Sequence, residues 1–241
     1  MNAAKPLTGR TAVVTGGTRG IGFAIAARLC DDGADVHVTG TKPGGARPDG
    51  TSYHAVDFTK DDAVGAFAGE LAELAPDILI NNAGLNRNAP FADIDLADFD
   101  AIHRINLRTP VALMQAVLPA MRQKQWGRVV NLGSIWSKLA RPGRASYAAS
   151  KFGLDGATAA AAAEAAADGV MINMVSPGII DTELTRRTVD PDKLEALLAD
   201  VPAGRLGQPE EIAALVAWLA GPENTFVSGQ NIAIDGGFTR V

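Results

Sequence analysis

Tyr147 and Lys151 stand four residues apart in Ser146-Tyr147-Ala148-Ala149-Ser150-Lys151, a stretch that opens a helical pattern running to Ala167. On a helix, residues i and i+4 share one face, so the phenol and the ammonium are neighbours. A free tyrosine has a pKa of about 10 and is a poor base near neutrality. A cation beside it favours the phenolate and brings the group toward the range where it can give and take a proton. Ser134 adds a hydroxyl just past the strand pattern Arg128-Val129-Val130-Asn131-Leu132. Ligands of open α/β sheets bind at the carboxyl ends of strands. Ser134 does not sit in the G-x-S-x-G elbow of hydrolases, so its chemistry is to hydrogen-bond a carbonyl oxygen rather than to attack one. Asn106 falls mid-helix, where asparagine has low propensity, and is either a buried structural amide or a fourth polar group of the same site.

A second group of residues suits an anion. Thr15-Gly16-Gly17-Thr18-Arg19-Gly20-Ile21-Gly22 follows a β-branched run and opens a helix. Glycines permit the tight turn and let backbone approach a pyrophosphate, which then sits at the positive end of the helix. The spacing, Gly16-x3-Gly20-x-Gly22, differs from the G-x-G-x-x-G fingerprint. A site for NAD(H) ordinarily has an acid about 20 residues on, at the end of the second strand, to bind the ribose hydroxyl. Here that place holds Gly40-Thr41-Lys42, and Asp57 lies one strand later. Arg19 and Lys42 are cations suited to a 2′-phosphate, so NADP(H) is expected over NAD(H).

The elements that must position these groups read as alternating strands and helices. Strand patterns are Thr11–Thr15, Val36–Thr39, Tyr53–Val56, Ile78–Ile80, Arg128–Leu132, Met171–Val175 and Asn231–Ile234. Helical patterns are Ile21–Asp32, Lys60–Leu74, Leu96–Gln123 as one or two helices, Ser146–Ala167 and Glu210–Leu219. This alternation predicts an α/β fold with a parallel sheet covered on both faces. The stretch Ala157–Ala167 is nearly all alanine, which suits either a buried helix or a close pairing of helices between subunits. No linker or repeat divides the chain, so one domain over residues 1–241 is expected.

Composition excludes several classes. With 47% hydrophobic and 20% charged residues the chain is neither disordered nor fibrous. A net charge of -5 without a basic run argues against nucleic acid or anionic membrane as partner. No apolar run reaches the ~20 residues of a membrane span. Met1-Asn2-Ala3-Ala4-Lys5-Pro6 lacks a secretory apolar stretch, so a cytoplasmic location is expected. Cys30 is the one cysteine, and His37, His54 and His103 have no ligand spacing, so no disulfide framework and no metal are expected.

Taken together, the motifs resemble those of the short-chain dehydrogenase/reductases over nearly the whole chain. Thr15-Gly16-x-x-x-Gly20-Ile21-Gly22 is similar to that family's cofactor loop, with Thr18 and Arg19 inside it, and Asn81-Asn82-Ala83-Gly84 to its structural and adenosine-side motif. Asp57-Phe58 falls where the family holds the adenine. Pro177-Gly178, with Ile180 and Thr182, resembles the segment that holds the nicotinamide carboxamide. The resemblance implies a single Rossmann-like domain, doubly wound, with a seven-stranded parallel sheet, helices on both faces and a homotetramer or dimer. It also implies a cofactor half at about 7–130 and a catalytic and substrate half at about 131–241; a lid is expected at about 179–205, where a long stretch of mixed polarity joins a strand end to a helix. Tyr147 would protonate a carbonyl oxygen, Ser134 would position it, Lys151 would bind the ribose and tune Tyr147, and Asn106 would hold a water relaying protons to Lys151.

Within the family, Val201-Pro202-Ala203-Gly204-Arg205-Leu206-Gly207 and Pro209-Glu210-Glu211-Ile212-Ala213 resemble the 3-oxoacyl-[acyl-carrier-protein] reductases. Those enzymes carry basic residues for an acidic carrier where this chain has Gln125 and Asp168, which speaks against carrier delivery. The expected activity is hydride transfer between NADP(H) and a small-molecule carbonyl or secondary alcohol, as a ketoreductase of that type. The alternatives are a dehydrogenase of a free alcohol, sugar or cyclic alcohol, or a dinucleotide-binding protein without catalysis. Substrate contacts are expected from Asn86, Trp136, Arg141, Arg144 and Leu184, one arginine meeting an anionic or polar group.

Overall fold

The computed structural model describes residues 5–188 and 198–240. Its strands are β1 (Thr11–Val14), β2 (Asp35–Gly40), β3 (Ser52–Ala55), β4 (Ile78–Asn81), β5 (Gly127–Leu132), β6 (Val170–Pro177) and β7 (Asn231–Ile234). They form one seven-stranded sheet in the order β3-β2-β1-β4-β5-β6-β7. Every pairing is parallel. The fold is therefore the parallel α/β sheet that the alternation predicts, in the seven-stranded, Rossmann-like, doubly wound form that the family resemblance implies.

Helices α1 (Gly20–Asp31), α2 (Asp61–Leu74), α3 (Leu96–His103), α4 (Thr109–Gln123), α5 (Ala145–Ala165), α6 (Glu183–Thr188) and α7 (Pro209–Ala220) fill the connections. Strand residues send side chains to opposite faces in turn. Ala12, Val14, Ile78, Ile80 and Val130 pack with Ile25 and Leu29 of α1 and Ile212 and Val216 of α7. Val13, Leu79, Val129 and Ile172 pack with Phe67 and Leu71 of α2, Leu113 and Val117 of α4, and Ala162 and Ala165 of α5. Both faces of the sheet are thus covered, and the strands read as continuous apolar runs for that reason.

The chain winds outward in two directions from the β1–β4 pair. Loops after neighbouring strands that wind opposite ways part from each other, and the gap is where such sheets hold ligands. The loops after β1 and β4 are the two that carry the glycine-rich turn and Asn82-Ala83-Gly84.

Two elements differ in detail from the sequence reading. The stretch 96–123 is α3 and α4 joined by one π-helical turn at Arg104–Arg108. Pro110 explains the break. It has no amide hydrogen for the carbonyl of Asn106, four residues back, and its ring crowds that carbonyl. The alanine-rich α5 is buried on one stripe only, at Lys151, Leu154, Thr158, Ala162 and Ala165. Its other face, including Phe152, Ala159, Ala160 and Ala163, is exposed.

Between β2, β3 and α2, His37 Nδ1 lies 3.0 Å from His54 Nε2, and His54 Nδ1 lies 3.2 Å from a Glu70 carboxylate oxygen. Burial pushes the His37 pKa below its ordinary 6.5; Asp35 opposes the shift and His54 adds to it. A histidine held neutral by the fold binds its proton more readily when unfolded. Stability should be full above pH 6.5 and fall as pH drops through the lower folded value. Thermal melting from pH 7.5 to 5 should show that decline, and His37→Gln should flatten it.

Candidate active site

At the gap between the β1 and β4 loops the structure has a cleft of about 290 Å³. Gly16, Thr18, Arg19, Gly20, Ile21 and Gly22 form one side of it, Gly40 and Thr41 the end, and Asn82, Ala83 and Gly84 the other side. Thr182, in the loop after β6, and Glu183, the first residue of α6, line its remaining edge. Gly16 and Gly20 have φ of 67° and 53°, a region open to glycine. A side chain at Gly22 would run into the Gly16 carbonyl and the Asn82 amide, so backbone lies close against backbone here.

Thr15 fastens the two sides together. Its hydroxyl oxygen accepts the backbone N–H of Asn82 at 2.9 Å and of Ala83 at 3.0 Å. The Asn82 side-chain amide in turn donates to the carbonyls of Thr15 and Gly16 at 2.9 and 3.1 Å. On the far side, the Thr39 hydroxyl of β2 accepts the Gly16 N–H at 3.0 Å. The sequence shows Thr15 only as the first residue of the glycine motif and Thr39 only as a β-branched strand residue, and neither pattern announces these bonds.

The remaining residues expected at the cofactor are not all on this cleft. Lys42 is exposed one residue beyond Thr41, and its carbonyl accepts the Tyr53 hydroxyl. Asp57 caps the turn that follows β3, accepting the Thr59 N–H and hydroxyl, which hold its carboxyl below the ordinary range. The Phe58 ring is buried in the core, edge-on to Phe67, so what this residue can offer a base is its backbone. Pro177 ends β6, and Gly178 is there because a side chain would strike Asp235. Ile180 is buried and pairs with Gly207, while Thr182 accepts the Thr185 N–H at the start of α6.

Ser134, Asn106 and the Tyr147–Lys151 pair come from three places in the chain and converge. Ser134 follows β5, is buried, and caps a short 3-10 turn at Ile135–Ser137. Lys151 is buried with Nζ donating to the Leu132 carbonyl at 2.6 Å and lying 5.7 Å from the centre of the Tyr147 ring. Asn106 is fully buried on the π turn; its amide nitrogen donates to the Leu85 carbonyl and the Ser150 hydroxyl at 2.8 and 3.1 Å. Its oxygen accepts the Leu85 N–H at 2.8 Å, and Ser150 donates to the Tyr147 carbonyl at 2.7 Å. Ser150, invisible as a functional residue in the sequence, thus joins Asn106 to the tyrosine turn. Below Ser134, its carbonyl accepts the Ser137 hydroxyl at 2.6 Å, and Ser137, Ser176 and Asn231 form a closed polar triangle.

Burial dominates the electrostatics of the Tyr147–Lys151 pair. Burial raises the Tyr147 phenol above its ordinary 10, and the Ser134 hydroxyl and the Arg144 cation pull it partly back. Burial pushes Lys151, whose Nζ lies by the Tyr147 ring, down to about 8. Arg144, Tyr147 and Lys151 are i, i+3 and i+7 at the start of α5, so the phenol lies between two cations on one face.

Of the expected substrate contacts, Trp136 is buried and packs edge-on to Phe238. Asn86 is exposed on the loop after β4. Arg141 pairs with Asp200 at 2.5 Å, and Arg144 donates to the Asn88 side-chain oxygen at 2.8 Å. Leu184 stands in α6, its side chain outside the described residues, as are residues 189–197 of the expected lid. No group of three or more metal-ligating side chains occurs among the described residues.

Comparison with known proteins agrees with this geometry. A family model described as enoyl-(acyl carrier protein) reductase matches residues 16–239. The 3-oxoacyl-[acyl-carrier-protein] reductase of Vibrio cholerae serotype O1 is 38% identical, covering 98% of this chain and 99% of its own. The acetoacetyl-CoA reductase of Cupriavidus necator is 37% identical, covering 96% and 98%. A crystal structure of 3-oxoacyl (acyl-carrier-protein) reductase from Agrobacterium tumefaciens C58 with NADP bound is similar at a TM-score of 0.89 and 32% identity, over 97% of this chain and 95% of that one.

The Thr15 fastening is open to a direct check. Thr15→Val keeps the shape and removes the acceptor of two backbone N–H groups. It should lower unfolding free energy by about 2 kcal/mol or more, read from denaturant midpoints, while Thr15→Ser stays near the parent.

Proposed function

For a chain that belongs to the short-chain dehydrogenase/reductase family, we propose an NADP(H)-dependent ketoreductase of the 3-oxoacyl reductase type. The observation that carries this reading is the buried Lys151 beside Tyr147, at the same sheet edge as Ser134 and next to a glycine-walled cleft. The cleft fits a dinucleotide: its backbone glycines leave room for a pyrophosphate at the start of α1. The end of β2 offers Gly40 and Thr41 rather than an acid, and Arg19 stands at the mouth, which favours a 2′-phosphate. A related structure that holds NADP supports the same choice. Gly16, Thr18, Arg19, Gly20, Ile21, Gly22, Thr41, Asn82, Ala83, Gly84 and Thr182 would hold the cofactor, with Lys42, Asp57 and the 177–180 turn near its ends. Bound there, it supplies or accepts a hydride.

The chain's own groups manage the proton. The Ser134 hydroxyl donates to the substrate carbonyl oxygen and fixes its position. Tyr147 gives its phenolic proton to that oxygen as it gains negative charge; in the reverse direction the phenolate takes the proton back. A phenol raised by burial holds its proton at neutral pH, which suits reduction. Lys151, protonated below about 8, stabilises the phenolate left behind and donates to the cofactor ribose. Asn106 supplies the next stage. The carbonyl of residue 106 has no amide hydrogen from Pro110, and this supports the reading that a water bound there returns protons to Lys151.

We propose residues of about 7–130 as the cofactor half, about 131–241 as the catalytic half and about 179–205 as the lid. The acyl group arrives free of a carrier. Asp168 and Glu164 flank Arg122, and Lys124, next to Gln125, pairs with Asp77, so an acidic partner would meet paired charge. A homotetramer in the cytoplasm is part of the same proposal. The exposed small-residue face of α5 with Phe152, together with Trp218 and Phe226, supports association.

Two measurements test the reading. Tyr147→Phe should bind NADPH with nearly unchanged affinity and lose turnover by roughly a hundredfold or more, the scale of a proton-transfer group. The parent should oxidise NADPH with a lower KM than NADH, and kcat/KM for ketone reduction should decline above about pH 8 as Lys151 loses its proton. Near-full activity in Tyr147→Phe removes the mechanism, and a clear preference for NADH removes the cofactor assignment.

A further inference from the structure

We infer that the ketone substrate bears a carboxylate close to its carbonyl and that Arg144 receives it. This rests on the reading of Tyr147 as the proton donor and adds the substrate class that the family likeness leaves open.

Arg144 differs from the other arginines around the site in what it pairs with. Arg87 pairs with Asp98 and Arg141 with Asp200. Arg186 pairs with Asp181 and Arg205 with Glu211. Arg144 is half-buried, yet among the described residues no carboxylate pairs with it. Its partner is the neutral side-chain oxygen of Asn88, at 2.8 Å through one of its N–H groups. A guanidinium has five N–H donors in a planar fork that matches a carboxylate with two parallel bonds. Asn88 fixes the orientation of that fork and leaves most of it available.

The location suits a ligand. Arg144 precedes the first residue of α5 and lies one turn from Tyr147 on the same face. Its guanidinium is 5.6 Å from the centre of the Trp136 ring, the wall that follows Ser134. The backbone bond from Ala89 N–H to the Gly143 carbonyl ties the Asn88 loop to the Arg144 loop, so the fork is held from both sides. Burial lowers the pKa of the guanidinium, with Arg141 adding to the shift and Tyr147 opposing it. A half-buried cation without an anionic partner is partly desolvated, and an incoming carboxylate offsets that cost. It also neutralises the cation that draws Tyr147 toward the phenolate, so a bound acid keeps the proton where reduction needs it.

Arg141 is excluded from this role by its own geometry. It is clamped to Asp200 and packs against both Trp136 and Phe238, which ties the start of the 198–207 segment to the site.

The test compares short 3-oxo acids with their methyl esters and their N-acetylcysteamine thioesters, with NADPH consumption as the readout. The parent should favour the acid in kcat/KM by roughly ten- to hundredfold, the scale of a hydrogen bond to a charged group, with most of the difference in KM. Arg144→Gln should abolish that preference and retain turnover of the ester, which also shows that the variant folds. Arg144→Lys should keep part of it as a point charge. Equal efficiency on acid and ester, a preference for the thioester, or a parallel loss on all three in Arg144→Gln would overturn the inference and leave the reductase reading standing. NADPH binding without turnover of any pair would overturn both.

Discussion

Two hydrogen bonds to one hydroxyl hold the site together. The sheet winds away from β1 and β4 in opposite directions, so the loops that follow them have no reason of their own to stay in register. Thr15 gives them one, by accepting the N–H groups of Asn82 and Ala83. Gly22 lets the helix that follows come close enough for Asn82 to reach back to the Thr15 and Gly16 carbonyls. The width of the cleft, the direction of α1 and the reach of Arg19 follow from that junction.

The second constraint is the dryness of the tyrosine site. Burial acts on three neighbouring groups on one face of α5, and it acts on them in different senses. It raises the phenol and lowers both flanking cations. Each shift alone would be a liability. Together they keep a proton on Tyr147 while leaving Lys151 able to lose one within reach of neutral pH. The backbone carbonyl of Leu132 and the Ser150 hydroxyl hold this arrangement in place without adding charge to it.

Much of this was legible in the residue order, and the reasons are local. Strands such as Ile78–Asn81 and Gly127–Leu132 are continuous apolar runs because both faces are covered, and a glycine turn between a strand and a helix is visible as letters. The features that were not legible share a different origin. Phe58 sits beside Asp57 in sequence, but strand and turn geometry points its ring into the core. The pairing of Arg141 with Asp200 spans 59 residues, and nothing in either neighbourhood announces it. Arg144 and Arg141 therefore looked equivalent until their partners were known. Spacing brings an ammonium beside a phenol, but only burial tells which of the two gives way.

The π turn at Arg104–Arg108 carries a consequence for how this chain tolerates changes of length. An α-helix turns by about 100° per residue, so one residue more or fewer in a turn rotates everything beyond it. Here the wide turn sets the phase between α3 and α4, and Asn106 lies inside it. Removing a single residue from the turn could leave a continuous helix of similar polarity. It would nonetheless swing either Asn106 away from Leu85 and Ser150 or the apolar stripe of α4 away from the sheet. The segment thus works as a counted spacer: its arithmetic, as much as its composition, is what the site inherits.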